Sequence, residues 1–250
     1  MEYLAAGAPS SFLGQFSLQQ LLIASGTTLL LTALSMPLAV VFGLALALMR
    51  RSRQLALSWP AAIYIELIRG TPLLVQLYLL YYSLPILGQW LSEQIPAIQS
   101  EWFVLDNFVV GIMCLAGNYA AYEAEIHRAG LDAVDKGQRE AALSIGLSEQ
   151  QTFIRVVLPQ AMRIVIPPII NDLIAMLKDS SLVSIIGVTE LLQVATGIGK
   201  SRFNMPQMLV VAALFYLAMS VPCYFLGKWV ERRLKARGAP ELHLDNVHGH

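Results

Sequence analysis

The longest uncharged stretch decides what this chain can become. From Tyr3 to Met49 there is no Asp, Glu, Lys or Arg, and Leu18 to Met49 is almost continuously apolar. The hydrocarbon core of a bilayer is crossed by a helix of about 20 such residues. A soluble domain has little use for a helix this long that is apolar on every side. The remainder agrees, since 56% of the 250 residues are hydrophobic and only 14% charged, the balance of a polytopic membrane protein. The zero net charge lends no support to nucleic-acid binding. Met1 to Ser11 lacks the basic start of a cleavable signal.

Charge then orients the spans. Arg50, Arg51 and Arg53 follow the first one (18–49, with Pro37 inside it), which places that end in the cytoplasm and the N-terminus outside. A second span covers 57–87. It is followed by a loop with Glu93, Glu101 and Asp106 but no Lys or Arg, which reads as external, with Trp90 and Trp102 at the interface. A third covers 108–126, where Gly111, Ala116, Gly117, Ala120, Ala121 and Ala124 predict close helix packing. A fourth covers 160–178 through Pro167-Pro168, with a broken or re-entrant extension over 182–198 that puts Glu190 near the outer surface. A fifth covers 208–229 and leads into Lys228, Arg232, Arg233, Lys235 and Arg237. All but Arg69, Lys178, Lys200 and Arg202 of the 17 Lys and Arg residues fall at cytoplasmic positions on this topology. The expectation is one all-α membrane domain with five transmembrane helices, N-terminus outside and C-terminus inside. Cys114 and Cys223 read as buried free thiols, and 236–250 as a polar tail.

Between the third and fourth spans, 130–159 carries most of the charge in the middle of the chain. Lys136 to Leu147 is rich in helix formers, Gly146 stands where that helix would end or bend, and Ser148 with Gln151 makes a capping box for a second short helix that Pro159 breaks. Two short helices at an angle form a compact knob that can transmit force. The stretch resembles the EAA loop of ATP-binding cassette importer permeases. Glu140, Ala141, Ala142, Gly146, Leu158 and Pro159 match at the right spacing, and Val156 stands where Ile is usual.

A second signature narrows the resemblance. Glu66, Arg69, Gly70, Thr71, Pro72, Gln76 and Leu77 match the E-x-x-R-G-T-P-x-x-x-Q-L pattern of the polar amino acid branch. Tyr122, Glu125 and Arg128, and the run Lys178-Asp179-Ser180-Ser181-Leu182, also match family forms. Glu66 and Arg69 are three apart and share a helical face on which they can pair. Ionisable residues at membrane depth face a bundle interior or a water-filled cavity, whereas at the interface they reach water. Candidates for the substrate path are Glu66, Arg69, Thr71 and Gln76 from the second span and Asn118 and Tyr122 from the third. Asp172, Lys178, Asp179 and Ser181 complete the set from the fourth. Glu125 with Arg128 reads as a local ion pair at the entrance to the loop.

Two other patterns carry less. Gly197-Ile-Gly-Lys-Ser201 resembles the end of a phosphate-binding loop, but Val194 stands where its first Gly is needed. His243, His248 and His250 belong to the polar tail. There is no HExxH, paired-Cys or Ser/His/Asp grouping, so the chain is expected not to be an enzyme. The resemblance instead implies a multi-pass permease subunit of the bacterial inner membrane. Its partners would be two cytoplasmic ATP-binding cassette subunits that carry ATP and Mg, a second permease subunit, an external substrate-binding protein and a polar amino acid. No cofactor or metal is expected on the chain itself. The competing class is a secondary carrier driven by an ion gradient, which usually has more spans and inverted repeats.

Overall fold

The computed structural model describes residues 15–95 and 97–235, and every regular element among them is helical. Met1 to Ser11 and the histidine-bearing tail lie outside the described residues. The order is α1 (Gln15–Arg50), α2 (Leu55–Arg69), α3 (Leu73–Gln94), α4 (Asn107–Asp132), α5 (Lys136–Ser144), α6 (Glu149–Thr152), α7 (Leu158–Asp179), α8 (Leu191–Ser201) and α9 (Met205–Lys235). Three runs are long and apolar enough to cross a membrane: Leu18–Arg50, Glu149–Ile186 and Met205–Leu234. The α2–α3 pair makes a fourth if counted as one bent span.

Helix α4 falls short of that apolar standard because Asn118, Tyr119, Tyr122, Glu123, Glu125 and His127 dilute it. It has no need to be apolar, for it is the hub of the bundle. It packs on α1, α2, α3 and α7, and most of its middle is buried. In lipid, apolar side chains gain little by leaving the solvent, so helices associate through close packing of small residues. Gly43 of α1 meets Ala120 and Ala124 of α4 in this way, and Ala39 and Ala47 of α1 and Ala116 of α4 are also buried. A β-carbon on Gly43 would lie 2.5 Å from Cβ of Glu123 and 2.9 Å from the Ala120 carbonyl, so the helices touch backbone to backbone there. A larger cluster joins Leu31 and Met36 of α1, Leu77 of α3, Leu115 and Tyr119 of α4, and Met176 of α7.

The expected second span is not one helix. α2 and α3 meet at 112° across Gly70-Thr71-Pro72, and α3 continues past Pro85 to Gln94. Pro72 has no N–H to continue the ladder, and Thr71 turns its hydroxyl back to the Leu67 carbonyl at 2.8 Å, which closes α2.

Pro159 does not break its helix either. α6 runs into α7 through one π turn at Phe153–Val157, in which the Leu158 N–H donates to the Phe153 carbonyl. Pro159 stands in the first turn of α7, where a missing N–H disturbs a helix least. α7 also continues through Pro167 and Pro168.

After α7 the chain makes a 3-10 turn (Ser180–Ile186), reverses at Gly187 with φ +86°, and enters α8. Glu190, just before α8, is completely buried within the protein. It caps α8 by accepting from the Gln193 N–H at 2.7 Å, and its other oxygen accepts from Tyr216 of α9 at 2.6 Å and Thr28 of α1 at 3.4 Å. Capping a buried helix end leaves this carboxylate inside the protein. Cys114 is buried, whereas Cys223 is only half-buried; both are free thiols.

Candidate functional site

The coupling stretch is shaped almost entirely by bonds within itself. Asp135 caps α5 by accepting from the Gly137 N–H at 2.6 Å. At the far end the Gly146 N–H donates to the Leu143 carbonyl (3.0 Å) and the Leu147 N–H to the Ala142 carbonyl (3.2 Å). This paired pattern, with Gly146 at φ +91°, is a Schellman stop. Ser148 then opens α6 through a reciprocal capping box with Gln151, at 3.2 and 3.0 Å. Arg139 of α5 reaches across the turn to Glu149 of α6 at 2.7 Å and staples the two helices.

Within this knob Ala142 is buried and α5 packs on the π turn, while Glu140 and Ala141 face outward. Leu158 is half-buried and Pro159 exposed where the knob joins α7. The outer surface also includes Ile145, 80% exposed, which none of the motifs marks. Its place directly before the turn glycine, where the helix ends and a side chain points away from the packed face, was the available signal.

An ion network lies where α4 leaves the bundle for the knob. Arg128 donates to Glu125 at 2.7 Å and to Asp132 at 3.2 Å, and Asp132 also pairs with Arg51 of α1. The Glu125 carboxylate raises the Arg128 guanidinium above its ordinary range, so it is charged at any working pH. Arg50 of α1 lies 3.5 Å from Glu66 of α2 and 3.9 Å from Glu125 of α4. Glu66 therefore pairs with α1 and not with Arg69, because the end of α1 brings a cation closer than the helix's own next turn. In the sequence Arg50 is only a topology signal, yet in the fold it ties three helices together.

The substrate-path candidates separate into two groups. Gln76 spends its amide on the bend: its N–H groups donate to Ile68 and Thr71 (2.7 to 3.0 Å), and its carbonyl accepts from Asn118 at 2.9 Å. Thr71, Gln76 and Asn118 are thus engaged with one another. Asp179 accepts from Tyr119, a residue outside the expected set, at 2.8 Å. Arg69 sits over the Tyr122 ring at 5.7 Å, and its buried Nε has no hydrogen-bond partner among the described residues. Asp172 has one buried oxygen without a partner, as do both oxygens of Glu123, which is completely buried 4.0 Å from His127. Ser181 is half-buried and Lys178 exposed. The structure brings Arg69 and Tyr122 together and leaves Arg69 and Asp172 with polar capacity unused inside the bundle.

Comparison with known proteins agrees with this architecture. A family described as "Binding-protein-dependent transport system inner membrane component" matches residues 39–236. The chain is 37% identical over 223 residues to a probable amino-acid ABC transporter permease of Sinorhizobium fredii, covering 89% of this chain and 90% of the relative. It is 35% identical over 210 residues to an arginine transport system permease of Bacillus subtilis, covering 84% and 90%. Among solved structures, a chain of an amino acid ABC transporter crystallised with histidines superposes with a TM-score of 0.74 at 35% identity, over 88% of this chain and 96% of that one. A chain of the inward-facing MetNI methionine transporter shares the fold at a TM-score of 0.65 and 18% identity, over 87% and 97%. The chain belongs to the family of binding-protein-dependent transport system inner membrane components.

Proposed function

We propose that this chain is the permease subunit of an ATP-driven importer of polar amino acids in a bacterial inner membrane. α1, the bent α2–α3 pair, α4, α7 with its α8 extension, and α9 supply five spans, with the N-terminus outside and the C-terminus in the cytoplasm. The knob at 130–159 docks on cytoplasmic ATP-binding cassette subunits that hold ATP and Mg. Glu140, Ala141 and Gly146 form its docking face, Ala142 packs it from within, and Leu158 and Pro159 join it to α7. A second permease subunit completes the path, and an external binding protein delivers the substrate.

The observation that carries this reading is the stapled knob itself. It is rigid through its own caps and ion pair, exposed at its tip, and continuous with two bundle helices: α4 enters it and α7 leaves it without a break. When ATP-driven closure draws two such knobs together, α7 and α4 must follow. The network of Arg50, Arg51, Glu125 and Arg128 passes that movement to α1 and α2. Coupling then amounts to a difference in ATPase affinity between two arrangements of the helices. Arg69 and Asp172 are the path residues this reading favours, since each keeps a buried polar atom without a partner among the described residues, and Tyr122 joins them through its ring beneath Arg69.

The test is a crosslink combined with an energy source. Ala141→Cys is expected to crosslink to a co-expressed ATPase subunit, and vesicles loaded with ATP should take up the amino acid without any ion gradient. Uptake that follows an imposed gradient and ignores ATP would move the chain to the secondary carriers. A knob that crosslinks to no ATPase from any exposed position would remove the docking model.

A further inference from the structure

The cytoplasmic end of α9 carries an arrangement that the importer reading does not use. Two neighbouring columns run down the helix at four-residue spacing, each passing from aromatic to cation. Tyr224, Lys228 and Arg232 form one, and Phe225, Trp229 and Arg233 the other. The Lys228 ammonium lies 5.8 Å from the Tyr224 ring, and the Arg233 guanidinium 5.2 Å from the Trp229 ring. A cleft of about 330 Å³ opens among Tyr224, Phe225, Lys228, Glu231 and Arg232. Glu231 pairs with Lys228 at 3.8 Å, so the surplus of positive charge lies with the exposed Arg232 and Arg233.

We propose that this cleft binds the phosphate headgroup of an anionic phospholipid, with its acyl chains lying along Phe225 and Tyr224. The order of chemistries along the helix argues for a lipid. Tyr224, Phe225 and exposed Leu226 lie nearest the middle of an apolar helix, Lys228 and Trp229 one turn further along, and Arg232 and Arg233 a turn beyond those, toward its end. A lipid presents the same sequence, hydrocarbon and then phosphate. Indole and phenol rings settle at that boundary, and each juxtamembrane cation attracts an anionic leaflet. Arginine also suits phosphate through its fork of donors. A soluble protein partner would meet this surface only where the helix has left the bilayer, which excludes the ring half of both columns. The inference uses the C-terminus-inside orientation proposed above to choose the leaflet, but not the importer reading.

The test uses the full-length chain in a neutral detergent. Dioleoyl phosphatidylglycerol should raise its melting temperature and stay bound in native mass spectrometry, whereas dioleoyl phosphatidylcholine should do neither. Replacing both arginines (Arg232→Gln with Arg233→Gln) should weaken phosphatidylglycerol retention roughly 30-fold. The double Lys replacement should keep most of it, and because these side chains are exposed, both variants should match the parent in helicity. Should the Gln pair misfold, the two-lipid comparison on the parent and the Lys pair still decides. Equal retention of both lipids, or of phosphatidylglycerol by parent and Gln variant, would overturn the proposal. So would stabilisation by glycerol 1-phosphate alone to the same extent, which would mark a soluble-phosphate site. A change of oligomeric state in the Gln variant without any lipid effect would overturn it too, and assign the surface to a second copy of the chain. Micelle binding is independent of uptake, so failure here and failure of the importer reading are distinguishable.

Discussion

The knob at 136–152 and the bend at 70–72 are both places where one helix hands over to another at an angle, and they are held in different ways. The knob is fixed by bonds that close within about ten residues: Asp135 to Gly137, Ser148 with Gln151, and Arg139 with Glu149. The bend has local bonds of its own, from Thr71 to Leu67 and from Gln76 to Ile68 and Thr71, but it is also held from distant helices. Gln76 braces it from α3 and is itself gripped by Asn118, 42 residues away on α4, while Arg50 of α1 holds the preceding helix through Glu66. A part that must push on a partner and be pushed back benefits from keeping its shape when its surroundings move. A part that must change angle as the bundle rearranges benefits from taking its shape from the bundle. On this contrast the knob is a transmitter and the bend is a follower.

The sharpest way to break the contrast is to separate α1 from α4. Gly43→Val would drive side-chain carbons into Cβ of Glu123 and the Ala120 carbonyl, neither of which is the yielding end of a flexible chain. A loss of about 3 kcal/mol is expected, read as a large fall of the detergent melting temperature. Cysteine pairs placed across the bend should lose their fixed spacing, while pairs across the knob keep theirs. If both loosen together, the knob is not autonomous.

A smaller change tests the follower directly. Gln76→Ala removes donors from the Ile68 and Thr71 carbonyls and strips Asn118 of its acceptor. Leaving a buried amide unpaired costs about 2 kcal/mol. The expected result is a lower melting temperature and a wider spread of α2–α3 angles by paired spin labels. Gln76→Glu should recover the acceptor for Asn118 but not the donors. If the bend angle survives both variants, Thr71 and Pro72 set it locally, and the bend is built like the knob.

The contrast also explains what could be read from the sequence. The knob's shape was legible because its causes are neighbours: a glycine at the stop and a Ser three residues before a Gln. The bend was hidden within what reads as one span, since its angle depends on Asn118 and Arg50, and nothing in the spacing of Glu66 and Arg69 says that α1 will end beside them. The burial of Glu190 was hidden for the same reason, its partners Thr28 and Tyr216 being 162 and 26 residues distant. Pro159 misled because the rule that proline breaks helices exempts the first turn, and the π turn before it makes Pro159 the second residue of α7. The tyrosine that holds Asp179 left no trace in the motifs, as one more aromatic on a helix already rich in them.

The smallest change should have the most selective effect. Gly146 sits at φ +91° with no heavy atom within 4 Å of where a β-carbon would stand, so alanine there meets no neighbour and suffers only the backbone cost of the left-handed region. That cost is about 1 kcal/mol. It falls on the Schellman stop, where the chain can escape it by unwinding the last turn of α5. Gly146→Ala should leave the melting temperature of the bundle within the error of measurement, yet lower ATP-driven uptake and the crosslinking of Ala141→Cys to the ATPase in parallel. Gly146→Asn should recover most of both, because asparagine tolerates the left-handed conformation. A transmitter has to fail in this way, no longer engaging the ATPase while the helices behind it stay folded. Uptake that persists in the alanine variant would mean that the knob's shape is not what carries the force, and the ion network at Arg128 and Asp132 would then be the part that does.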